Sequence, residues 1–203
     1  MPKVKLTKTE LKAQRDAMAR YRRFLPTLEL KKEQLIQEIR RVDAEQHATR
    51  ADEEGLQQAV AAWVRLFAED VALADKVRLE RVETHEGNIA GVPIPVFDGV
   101  QFAVAAYDLF STPLWVDRAV EMVQAVAALR AQRAVLERQK TLLAHELRVT
   151  IQRINLFEKV KIPGCKETIR RIQIYLGDQQ ANAVARGKIA KGKLSDVQIG
   201  VVA

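Results

Sequence analysis

A chain of 203 residues suits one or two compact domains or one extended helical assembly, and 9 Gly, 6 Pro and 5% aromatic residues favour the second. No stretch approaches the roughly 18 uninterrupted apolar residues of a membrane span, and the opening MPKVKLTKTELKAQRD has no apolar signal core, so a soluble, cytoplasmic chain without membrane insertion is expected. The net charge of +7 is unevenly placed: residues 1–41 carry 12 Lys+Arg against 5 Asp+Glu, residues 148–203 carry 11 against 4, and residues 42–147 carry 10 against 17.

From the N-terminus, apolar residues fall on a seven-residue frame. Leu11, Met18, Leu25, Ile39, Val60, Phe67 and Ala74 share one position, and Tyr21, Leu28, Leu35, Val42, Leu56 and Trp63 the other. These are the a and d positions of a heptad, and a helix so patterned buries a narrow stripe against a partner helix. Gln46, Thr49 and Glu53 interrupt the seam, which predicts a looser or solvated section there, and Lys32 is another polar a residue. Pro26 has no backbone donor, which predicts a kink or break with helix on both sides. Trp63 and Trp115 lie on the apolar frames, where packing is the ordinary use of an aromatic ring.

Residues 77–112 lose the helical period. Val92, Ile94 and Val96 alternate with Pro93 and Pro95, and Gly87-Asn88 and Asp98-Gly99 are turn signals. The region reads as a small β-containing head between two arms, 1–76 and 113–203. The second arm repeats the first: Trp115, Met122, Leu129, Leu136, Leu143 and Phe157 share a frame broken by Thr150, with Val126, Leu147 and Ile154 beside it. IPGC at 162–165 predicts a kink or interruption, after which Ile169, Ile172 and Leu176 resume on one face. Each arm holds about 70 helical residues, on the order of 100 Å. The expected fold class is therefore mainly α, a long antiparallel two-helix coiled-coil hairpin with the head in mid-chain and a flexible basic tail. Such a hairpin gathers both basic ends at one tip.

Chemistry is sparse. GKIAKGKL, Gly187 to Leu194, fits the glycine and lysine frame of a phosphate-binding loop, yet the loop next requires Ser or Thr, and position 194 is Leu. The polar, helix-prone DQQANAVAR before it is also not the buried strand such a loop follows. His47, His85 and His145 are far apart and fit no metal-ligand spacing. The single Cys165 rules out an internal disulfide and a multi-cysteine zinc site. No Ser-His-Asp, Cys-His or paired-carboxylate constellation assembles, and Glu158 beside Lys159 reads as a surface residue. No cofactor or metal is expected. Basic ends suit partners of opposite sign, nucleic acid being the obvious candidate and a solvated charged face the commoner meaning, although the arms lack RGG tracts and an aromatic-interleaved basic sheet. The candidate contact residues are Lys3, Lys5, Lys8, Arg15, Arg186, Lys188, Lys191 and Lys193.

RINLFEKVKIP, Arg153 to Pro163, resembles the signature of the D-subunit family of V-type (vacuolar and archaeal-type) ATPases, in which R-V-N-A-L-E or R-V-N-L-F-E precedes I-P. VKLTKTEL, LPTLELKKEQL, GNIAGVPIPV and STPLWVD, Ser111 to Asp117, are similar to other parts of that family, especially its bacterial members, so the resemblance spans nearly the whole chain. Two departures are Gln152, where many members have a second arginine, and Pro26. The resemblance implies a non-catalytic central-stalk rotor shaft that couples ATP hydrolysis or synthesis to ion transport. Its terminal helices would enter a ring of A and B subunits, and its middle would meet the F-subunit and the subunit joining the shaft to the membrane rotor ring. Nucleotide would be bound by A and B and not by this chain, which would sit peripheral to the membrane as part of the complex.

Overall fold

The structure, a computed structural model, describes residues 5–61, 73–108 and 112–200, with the backbone alone described at 74, 75 and 193–200. The elements are α1 (Lys8–Ala61), a single turn α2 (Leu73–Lys76), β1 (Val77–Ile89), β2 (Val92–Val104), α3 (Trp115–Leu156), a π-helical turn (Phe157–Lys161) and α4 (Ile162–Gly200). Long helices pack together with a two-stranded antiparallel hairpin between them in the chain. The mainly α architecture expected from the heptads is thus the one observed. Trp63 and Phe67 lie outside the described residues.

Two compact units divide the chain, Leu30–Thr150 and the remainder, composed of residues up to Glu29 with those from Ile151. In the first unit, ascending residues of α1 meet descending residues of α3: Lys31 with Glu146, Asp43 with Lys140, Glu53 with Arg130. The pairing is therefore antiparallel. Leu35, Val42 and Thr49 are buried at seven-residue spacing on α1, as are Leu136, Leu143 and Thr150 on α3, the burial that a coiled-coil seam produces.

The hairpin adds a third layer. Val92 and Ile94 of β2 share one core with Leu35, Val42, Leu136 and Leu143, and Ile89, Ala90 and Val96 pack against it. Strand alternation places Val92, Ile94 and Val96 on one face, and burial of Val92 and Ile94 stabilises the layer by roughly 1.5–3 kcal/mol each. Gln139, itself buried, donates from Nε2 to the Pro95 carbonyl at 2.6 Å, occupying a strand acceptor that would otherwise be lost from water. The turn sits at Ala90-Gly91, both at positive φ (52° and 78°) between the paired Ile89 and Val92. This is the two-residue turn that matches strand twist, and Asn88 Oδ1 accepts from the Gly91 N–H at 2.9 Å. Both turn signals read from the sequence are displaced: Gly87-Asn88 lies within β1, and Asp98-Gly99 lies at a β2 register shift. Gly87 serves packing instead, because a Cβ there would meet Val96 Cγ2 at 2.6 Å. At the open end of the hairpin, Tyr107 donates to Asp117 of α3 at 2.6 Å and Lys76 lies 4.7 Å from the Tyr107 ring centre.

In the second unit, α1 starts at a side-chain cap, with Thr7 Oγ1 accepting from the Glu10 N–H at 3.2 Å. Tyr21 packs on Phe157 with ring centres 5.0 Å apart, and Cys165 and Ile172 are buried. At Pro26 and Pro163 alike helix lies on either side, as expected. Of the kink or break expected at Pro26, the break does not occur, since α1 runs from Lys8 to Ala61 without interruption. At IPGC the chain also stays helical, and the disturbance takes the form of a π-turn immediately before Pro163, closed by the Ile162 N–H on the Phe157 carbonyl. Proline brings no N–H and its ring crowds the carbonyl four residues back; widening the preceding turn to π geometry relieves that conflict without ending the helix.

Candidate partner-contact surface

Of the candidate contact residues, Lys5, Lys8 and Arg15 are exposed at the start of the chain and along early α1, and Arg186, Lys188 and Lys191 are exposed along α4. Lys3 and the Lys193 side chain lie outside the described residues. None of the six described cations pairs with a carboxylate among the described residues. Arg186 turns back onto its own helix, donating from Nε to the Asn182 carbonyl at 3.3 Å. The same unit also exposes Phe24, Leu156, Val160, Ile174, Val184 and Ile189. Mixed apolar and cationic exposure of this kind suits a contact with a protein wall that is partly apolar and partly acidic.

GKIAKGKL lies wholly inside α4. A phosphate-binding loop needs consecutive backbone N–H groups turned towards the anion, and in a helix interior those groups are committed to carbonyls one turn back. The segment presents lysines on a helix, and its glycines are helix residues.

The polar interruption of the seam at Gln46, Thr49 and Glu53 is hydrogen-bonded, with an open cleft beside it. Thr49 is buried and donates to the Glu45 carbonyl at 2.9 Å, while Gln46 donates to Glu137 at 2.8 Å. Glu53, whose side chain is 7% exposed, accepts from Arg130 Nε at 2.7 Å and Arg133 Nη1 at 2.8 Å across the seam. The hydrogen bond from Arg130 holds the Glu53 carboxyl below its ordinary value against the opposing effect of desolvation, helped by the charges of Arg133, Arg130 and Arg50. Two guanidiniums converging on one carboxylate satisfy a charge that burial would otherwise make costly. Next to this clamp, a cleft of about 580 Å³ is lined by Asp43, His47, Arg50, Arg130, Arg133 and Lys140 among others. Its charges neutralise one another: Lys140 binds Asp43 at 2.6 Å, Arg50 binds Glu54 at 2.9 Å and the other two arginines hold Glu53. Lys140 is held above its ordinary value, first by its hydrogen bond to Asp43.

No single residue of the clamp announced its role in sequence. Glu53 is separated from its partners by 77 and 80 residues, and the signal that finds them is the antiparallel frame itself, in which positions rising on α1 face positions falling on α3. No group of three or more His, Cys, Asp and Glu side chains suited to a metal occurs among the described residues. No helix among them is long and apolar enough to cross a membrane.

A family model for the D-subunit of ATP synthase matches residues 10–192. The V-type ATP synthase D-subunit of Borreliella burgdorferi is 42% identical over 194 residues, 96% of each chain. The proteins of the same description from Chlamydia felis and Chlamydia trachomatis serovar L2 are 31% identical over 194 residues and 32% over 197, covering 94% of this chain and 93% and 96% of their own. Agreement of this extent, across the helices and the hairpin alike, shows that the chain belongs to the V-type ATP synthase D-subunit family.

Proposed function

We propose that this chain is the non-catalytic central-stalk shaft of a V-type ATP synthase or ATPase, turning inside a ring of A and B subunits and meeting the F-subunit and a membrane-side linking subunit through its middle. The family match over residues 10–192 carries this reading. The physical design supports it. Interlocked seams resist bending and twisting, and the Glu53 clamp ties α1 to α3 by side chains that cannot slide past one another without breaking two charged hydrogen bonds.

An asymmetric shaft inside a threefold ring presents a different face to each catalytic site. The sites then differ in nucleotide affinity, and linkage makes each hydrolysis or synthesis step favour a new shaft angle. The exposed Lys5, Lys8, Arg15, Arg186, Lys188 and Lys191, with Lys3 and Lys193, are the proposed headpiece contacts. Long-range attraction to acidic groups would hold the shaft without fixing one angle.

Affinity capture of the tagged chain from its native membranes and cytoplasm, followed by mass spectrometry, tests the reading. Recovery of A, B and F subunits is expected. Recovery of nucleic acid, with ATPase subunits missing, would overturn it in favour of the basic coiled-coil alternative.

A further inference from the structure

The seam of the second unit ends before α4 does. Ile172 is fully buried and Leu176 half-buried, but every residue from Gly177 to Gly192 is exposed. The antiparallel pairing that sets Tyr21 on Phe157 brings Lys8, the first residue of α1, opposite about residue 170 at one residue per residue. The packing carries on through Ile172 and Leu176, and beyond them α4 continues as a helix whose described side chains are all exposed as far as Gly192.

Such a segment is weakly stable alone. The packed start of α4 supplies the nucleus, so the segment depends on propagation alone, which is close to neutral per residue for good helix formers in water and has no tertiary packing to add to it. The segment contains Gly177, Gly187 and Gly192, each of which lowers the helix equilibrium about fivefold relative to alanine. A Cβ at any of the three would meet nothing within 4 Å. Steric crowding within the described chain therefore does not call for glycine at these positions. Val184 and Ile189, each 60% exposed, add apolar surface left in water, and Arg186, Lys188 and Lys191 outnumber Asp178 between Gly177 and Gly192.

We propose that Gly177–Gly192 is a partner-completed segment: its helix is marginal in the isolated chain and is stabilised by insertion into a protein socket with an apolar wall and carboxylate groups. This rests on the shaft reading, which supplies the socket as the interior of the ATP synthase headpiece. The glycines keep the segment uncommitted before insertion, so that it can thread into an enclosed site and become rigid there. Exposed Val and Ile with a cationic excess match such a socket better than they match bulk water.

Hydrogen exchange measured by mass spectrometry on the full chain, alone and in the assembled complex, tests the proposal. Alone, amides of 178–192 should exchange at least about tenfold faster than those around Ile172, and assembly should slow them by about tenfold or more. Equal protection of the two stretches in the isolated chain would overturn the proposal. Unchanged rapid exchange inside an intact complex would overturn it while leaving the shaft reading in place, whereas failure of any complex to form would overturn both. The triple variant Gly177→Ala, Gly187→Ala, Gly192→Ala should raise protection of the isolated segment by about a hundredfold, three factors of five, and still assemble. Loss of assembly by that more helical variant would overturn the ordering role and identify the glycines as points of close contact.

Discussion

The two units solve the same problem, holding one helix against another, with different chemistry. In Leu30–Thr150, side chains cross between helices as Lys31 with Glu146, Asp43 with Lys140 and Glu53 with two arginines, and the hairpin adds a third apolar layer. In the other unit the seam is aromatic and aliphatic, with Tyr21 on Phe157, Cys165 and Ile172, and no ion pair joins its helices among the described residues. Apolar contact supplies adhesion but is tolerant of small shifts in register, whereas a charge aimed at one partner penalises every other alignment. Leu30–Thr150 thus carries two independent determinants of register, and the other unit carries shape alone.

The largest test of that contrast is the core. Leu143→Ala should cost about 3 kcal/mol or more, as expected for a fully buried leucine, and should raise hydrogen exchange in the hairpin that shares its core. Ile172→Ala in the other unit should cost about 2 kcal/mol, speed alkylation of Cys165, and leave hairpin exchange unchanged. The Cys165 thiol is a sound reporter because burial pushes it above its ordinary value, with Lys161 opposing. Coupled loosening of both regions by either variant would show that the units share one core.

Pro26→Ala should stabilise by about 2 kcal/mol, part of the roughly 3 kcal/mol that proline costs inside a helix, because α1 passes through that position unbroken. A fall in Tm instead would mean that the ring's packing outweighs its missing donor. Glu53→Gln should lower Tm at neutral pH, by less than Leu143→Ala. Because the folded carboxyl lies below its ordinary value of 4.5, its stabilisation is complete above about that pH and is lost as pH falls through the lower folded value. The Tm gap between parent and variant should therefore close below pH 4.5, and a gap independent of pH would show that shape and not charge matters at the clamp.

Thr150→Val is the smallest expected effect. Thr150 is fully buried and its Oγ1 has no hydrogen-bond partner among the described residues. Replacing the hydroxyl with a methyl of similar size should raise stability by about 1 kcal/mol in chemical denaturation. A loss would mean that the hydroxyl is satisfied in solution.

Much of this was legible from local pattern. A helix that buries one stripe needs apolar residues at seven-residue spacing, so Leu35, Val42, Leu136 and Leu143 declared themselves, and the ordered motifs through RINLFEKVKIP indicated the family. The helical state of GKIAKGKL followed from its flanks in the same way. Tertiary structure alone decided the rest, because the causes are far apart in sequence. Glu53 on a seam signals weakness until Arg130 and Arg133 arrive from the other helix. Asp98-Gly99 signals a turn until pairing with β1 makes it a register shift. Pro163 signals a kink or interruption, and only the fold shows that it takes the form of a π-turn through which the helix continues. In each case a local cost is cancelled by a partner or a geometry that neighbouring residues do not encode.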